Sequence, residues 1–140
     1  MQEVIRFKTA AQIEQMRRAG RIVHEVLVRL SELARPGVTT AELDAEAARM
    51  TAAAGAVGLF KDYPNHRRGG RPFPGYICAS LNEQVVHGIP GPRALREGDI
   101  LSLDFGVRLG DFCGDAATML KIGAVSPLAD RLVEVTRGVL

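Results

Sequence analysis

Residues 100–120, ILSLDFGVRLGDFCGDAATML, constrain the fold more than any other stretch. Over 100–107 the chain alternates. Leu101, Leu103, Phe105 and Val107 fall on one side, and Ser102, Asp104 and Gly106 on the other. That is the pattern of a half-buried strand. Arg108-Leu109-Gly110-Asp111 reads as a turn in which Gly110 can take a positive φ, and 112–120 returns as a second strand. Centring the hairpin between Leu109 and Gly110 pairs 108 with 111, 106 with 113 and 104 with 115. This register sets Asp104 directly opposite Asp115, with Cβ atoms roughly 4.5–5.5 Å apart.

Two carboxylates so placed oppose the pairing of their own strands. In a half-buried place one must hold a proton, or a cation must sit between them. Their neighbours Ser102, Gly106 and Ala117 are small and leave room. Hard oxygen donors at close range suit one or two divalent metal ions. The alternative is an exposed hairpin with solvated acids, and a one-residue bulge would send Asp115 to the other face.

The remaining composition narrows the class. At 140 residues the chain is long enough for one domain with a modest core. A net charge of +2 is too small to argue for nucleic acid. No apolar run approaches a membrane span, and the first ten residues lack a signal-peptide pattern. Cys78 and Cys113 are too few for a disulfide framework, so a reducing cytoplasm is the expected location.

Thr9 with Gln12 and Thr39 with Glu42 form capping boxes, each opening a helix. The first carries an apolar stripe of Ile13, Met16, Gly20, Val23, Leu27, Leu30 and Ala34, with His24 at its boundary. The second turns Leu43, Ala47 and Met50 inward and stops at Gly55. Residues 58–74 form a long Gly- and Pro-rich loop. Its cluster His66-Arg67-Arg68 with Arg71 suits RNA phosphates or an acidic partner, or is simply a solvated loop. Residues 76–80 and 84–87 read as short strands around the turn Leu81-Asn82-Glu83. Ser126-Pro127 opens a third helix whose apolar side is Leu128, Leu132 and Val135 or Val139.

The segments YICASLNEQVVHGIPG (76–91) and EGDILSLDFGVRLGDFCGDAAT (97–118) resemble the N-terminal half of a type I methionine aminopeptidase. The Asp-x10-Asp pair alone also fits the related proline peptidases. The block from Asn82 to Pro90 favours the methionine enzymes. The resemblance implies a pita-bread fold: α+β, an antiparallel sheet with helices packed on one side, residues 1–140 being a partial peptidase domain. It implies that Asp104 and Asp115 are metal ligands, with Asp115 bridging two divalent ions of cobalt, manganese, iron or zinc. His87 would contact the substrate near the scissile amide and assist proton transfer. Cys78 and Phe73 would line the pocket for the methionine side chain, and Asn82 would lie near a monovalent-cation site. Cys113 falls on the metal face by alternation and reads as a small filler opposite Gly106.

The same resemblance implies partners: the N-termini of nascent chains, with the ribosome surface close by, and no membrane. The family's other metal ligands, one histidine and two glutamates, belong to its second half. After Asp115 this chain offers only Asp130 and Glu134 and no histidine. The expectation is therefore part of an enzyme, inactive alone, completed by a missing C-terminal half or by self-association. The competing reading is a partner-binding pita-bread pseudoenzyme.

Overall fold

The computed structural model describes residues 7–66 and 69–139. Helix α1 spans Ala10–Leu33 and α2 spans Thr40–Ala53, and both begin with the expected capping boxes. A sheet follows, built from β1 (Val57–Gly58), β2 (Ile77–Leu81), β3 (Ile100–Leu109) and β4 (Phe112–Lys121). Helix α3 covers Pro127–Val139. Strand β3 is central and every pairing is antiparallel. The short strands β1 and β2 lie along one side of it and β4 along the other.

The alternation in β3 decides the layering. Leu101, Leu103, Phe105 and Val107 are fully buried, in one cluster with Val23, Val26, Leu27 and Leu30 of α1 and Leu43 and Ala47 of α2. Burying side chains of this size contributes about 1.5–3 kcal/mol each. Helix α1 packs on β3 and β4, and α2 on β1 and β2. The close approach of α1 depends on Gly114: a Cβ there would come within 2.8 Å of the Ala19 carbonyl carbon and the Gly20 nitrogen. One face of the sheet is thus covered by helices, and the other carries Asp104 and its neighbours.

Three local expectations need correction. Residues 84–87 form no strand: the chain turns at Asn82 (φ 50°) and again at His87 (φ 58°), and Val85 and Val86 stay exposed. The stripe on α1 is buried only from Ala19 onward, because Gly114 meets the helix there, and Ile13 and Met16 remain exposed. Helix α3 turns Val133 inward and leaves Leu128, Leu132, Val135 and Val139 exposed. Lys121 is in keeping with that rotation. Its Nζ meets Asp130 at 2.8 Å and Glu134 at 2.9 Å, and these two share a helix face with Val133.

Candidate metal centre and substrate cleft

The two aspartates share a face, as expected, but they are not directly opposite. The hairpin closes with Leu109 paired to Phe112, so the turn is Gly110-Asp111, with Gly110 at φ 59°. Glycine at the first central position suits a two-residue hairpin turn. Moving the turn centre by one residue moves every pair by two. Asp104 therefore pairs with Ala117, and Asp115 with Gly106. Because the shift is even, side-chain parity survives. The carboxylates lie diagonally across the strand pair, where Cβ atoms are separated by roughly 7–8 Å or somewhat less. Gly106 makes room: a Cβ on it would stand 2.8 Å from Asp115 Oδ2. Cys113 pairs with Arg108, not Gly106, and is exposed.

On the other side of β3, Cys78 is the cross-strand partner of Asp104. Its strand is held from beneath by α2. The Tyr76 and Ile77 N–H groups donate to Asp44 Oδ1 at 2.6 and 3.0 Å. The same helix holds the loop that carries His87. Gly91 N–H donates to Thr40 Oγ1 at 2.9 Å, and Ala41 N–H donates to the Gly91 carbonyl at 3.0 Å. Gly88 N–H donates to Ser80 Oγ at 3.0 Å, and its carbonyl accepts from Ala79 N–H at 2.9 Å. Only glycine fits at 88, since a Cβ would collide with the Ala79 carbonyl. His87 sits just before this crossing in a left-handed conformation, which costs a non-glycine residue roughly 1 kcal/mol or more.

These elements bring Phe73, Cys78, His87 and Asp104 to the wall of one cleft of about 780 Å³, together with Phe60 and Tyr63. Asp115 is exposed on β4 and lies outside that wall. A second groove, about 700 Å³, runs between α1 and residues 115–118. Burial, then the charge of Asp115, pushes the Asp104 carboxyl above its ordinary range, while His87 and the Phe105 N–H act the other way. Burial first, then Asp104 and Asp115, pushes the Cys78 thiol up to about 11. That thiol stays protonated at neutral pH and serves as an apolar wall.

The donor chemistry fits a divalent cation. Asp104 is half-buried beside a like charge, and the glycine between the two carboxylates keeps space open. The fit is partial, because among the described residues no three histidine, cysteine, aspartate or glutamate side chains come together to hold an ion. Asn82 is already engaged: its Nδ2 donates to Asp99 Oδ1 at 2.8 Å and its Oδ1 accepts from Ile100 N–H at 3.0 Å. Arg67 and Arg68 of the basic cluster lie outside the described residues.

Asp44, Thr40, Phe60 and Tyr63 are not among the residues that the sequence motifs single out. The two aromatics carried a signal, as aromatic side chains inside a Gly/Pro-rich loop. Asp44 and Thr40 carried none, because their partners lie 32 and 51 residues away.

Residues 14–140 match metallopeptidase family M24. The chain belongs to this family. It is 46% identical over 135 residues to a methionine aminopeptidase of Clostridium acetobutylicum, covering 96% of this chain and 51% of that protein. It is 42% identical over 129 residues to methionine aminopeptidase 1 of Bacillus subtilis, covering 92% and 49%. The crystal structure of the Thermotoga maritima methionine aminopeptidase superposes with a TM-score of 0.87 at 34% identity, over 98% of this chain and 53% of that one. This M24 chain thus has the architecture of the N-terminal half of the pita-bread fold, and it spans about half the length of the curated relatives it matches. Among the described residues no helix is long and apolar enough to cross a membrane.

Proposed function

We propose that this chain is the N-terminal half of a metal-dependent aminopeptidase that removes the initiator methionine from nascent proteins in the cytoplasm. The observation that carries this reading is the convergence of Phe73, Cys78, His87 and Asp104 on one cleft, with Asp115 on the same sheet face. The likeness to enzymes named methionine aminopeptidase supports it.

Each residue has work suited to its chemistry. Asp104 and Asp115 would hold part of the coordination sphere of two divalent ions, which when bound supply a water nucleophile at neutral pH. Cobalt, manganese, iron and zinc all accept such oxygen donors. Phe73 and the protonated Cys78 form a wall for a thioether side chain. His87, exposed at the cleft, reaches the scissile amide and passes a proton there. The spare lone pair of Asn82 Oδ1 is what a monovalent ion would use.

Alone, the 140-residue chain offers too few donors, since each ion wants roughly four to six. It therefore binds metal weakly and turns over slowly until the second half, or an equivalent surface, completes the sphere. The nascent chain, near the ribosome surface, is the partner. The test is to express the full reading frame, strip it with a chelator, restore manganese or cobalt, and follow release of methionine from Met-Ala-Gln-Gly amide. Metal-dependent release of methionine supports the reading. Metal-replete protein that leaves this peptide intact contradicts it.

A further inference from the structure

The loop that follows Tyr63 is fixed at its base, and its described residues 64–66, 71 and 72 line the cleft. Asp62 N–H donates to the Phe73 carbonyl at 2.9 Å, and Phe73 N–H donates to the Tyr63 carbonyl at 3.0 Å. These two bonds pinch the loop where it leaves and rejoins the chain. Pro64 and Pro72, whose φ angles are locked by their rings, stand just inside the pinch. From this base Arg71 reaches the wall of the same cleft that holds Asp104.

The cleft is therefore lined by an acid and a base. Asp104 is half-buried, and Arg71 is exposed. The other cation at the loop base, Lys61, is engaged: its Nζ donates to the Pro74 carbonyl at 3.0 Å and lies 3.4 Å from Asp62. Among the described residues Arg71 pairs with no carboxylate. An unpaired guanidinium lining a peptide-sized cleft is a ready partner for an anionic group on whatever enters it.

We propose that Arg71 determines specificity, favouring methionyl chains with an acidic side chain shortly after the scissile bond. The inference rests on the aminopeptidase reading and extends it. With the N-terminus held toward Asp104 and the methionine side chain against Phe73 and Cys78, the downstream residues leave the cleft past the loop. A glutamate there meets Arg71, and a lysine is repelled. The position of Arg71 on a cleft wall favours a peptide carboxylate over an RNA phosphate as its partner. The contact is exposed and takes no part in breaking the scissile bond, so it acts on KM and is salt-sensitive.

The test uses the full-length enzyme loaded with manganese and three C-terminally amidated peptides, Met-Ala-Glu-Gly, Met-Ala-Gln-Gly and Met-Ala-Lys-Gly. At low ionic strength kcat/KM for the glutamate peptide should exceed that for the glutamine peptide by about two- to fivefold, the range of an exposed ion pair. The lysine peptide should fall below both, and the differences should fade in ~1 M salt, where the screening length is about 3 Å. Arg71→Ala should bring the glutamate-to-glutamine ratio to one, and Arg71→Lys should restore part of it. Cleavage of all three peptides at equal rates overturns the role of Arg71 and leaves the aminopeptidase reading standing. A ratio unchanged in Arg71→Ala does the same. If Arg71→Ala leaves the ratio alone but weakens salt-dependent binding of a short RNA, the cation serves nucleic acid and the proposal is wrong. If none of the peptides is cleaved, the aminopeptidase reading fails and this inference with it.

Discussion

Asp115 stands directly across from Gly106, and its Oδ2 lies 2.8 Å from where a Cβ on that glycine would be. The glycine has an ordinary negative-φ backbone, so its reason is space and not conformational freedom. Leu59 closes the other side of that space, with Cδ1 3.1 Å from the same point. Gly106→Ala should therefore push the Asp115 carboxylate aside and weaken manganese binding by about 10- to 100-fold, the usual scale for disturbing the support of a metal ligand. Calorimetric titration of wild type and variant checks this. Unchanged affinity would mean that Asp115 does not depend on the space above Gly106.

His87 is assigned to the substrate and not to the ions. In the complete enzyme His87→Ala should lower kcat by about 10²–10⁴-fold, the range for losing a general acid or base. Metal content, measured by elemental analysis after dialysis, should stay near that of wild type. A variant that loses its metal along with its activity would make His87 a ligand.

The two cysteines should differ sharply in reactivity. Cys78 is buried, with its thiol pushed up to about 11, so almost none is thiolate at neutral pH. Cys113 is exposed. Brief treatment with iodoacetamide should label Cys113 first and Cys78 only on unfolding, as read by peptide mass spectrometry. Equal labelling rates in the native protein would contradict the buried position of Cys78.

Much of this was legible in the chain because the determinants are local. The period-two alternation of 101–107 fixed which face of β3 is core. Both capping boxes are four-residue patterns, and they placed α1 and α2. The pair Asp104 and Asp115 was found on one face even though the turn centre lay one residue further along, since an even shift preserves parity. What was not legible depends on distant partners. The clamp of Asp44 on Tyr76 and Ile77, and of Thr40 on Gly91, joins segments far apart in sequence. The rotation of α3 turns Asp130 and Glu134 to Lys121, a contact that the helix's own apolar pattern does not register. Residues 84–87 have strand-like composition, but the left-handed turns at Asn82 and His87 take them away from the sheet.

Glu46 offers a test of how α2 is seated. Its hydrogen bond to Arg49, aided by Arg29 of α1 against the cost of burial, lowers its carboxyl from 4.5 to about 2. The folded value lies below the unfolded one, so the stabilisation is complete above pH 4.5 and is lost as pH falls from there toward 2. Both arginines are largely exposed, which limits the effect to about 1 kcal/mol. Denaturant titrations should show Glu46→Gln less stable than wild type at neutral pH, with the gap closing below that window. A gap that does not vary with pH would exclude the ion pair as its source.

The central claim is that Asp104 and Asp115 act together as ligands of a divalent cation. Manganese titration of the chelator-stripped, full-length protein by calorimetry, alongside Asp104→Asn and Asp115→Asn, tests it most directly. Asparagine keeps the shape and removes the charge, so each variant should fold, and each should lose at least about tenfold in affinity. Wild-type manganese affinity in both variants would show that the two carboxylates hold no ion, and the reading of this face of the sheet as a metal centre would be wrong.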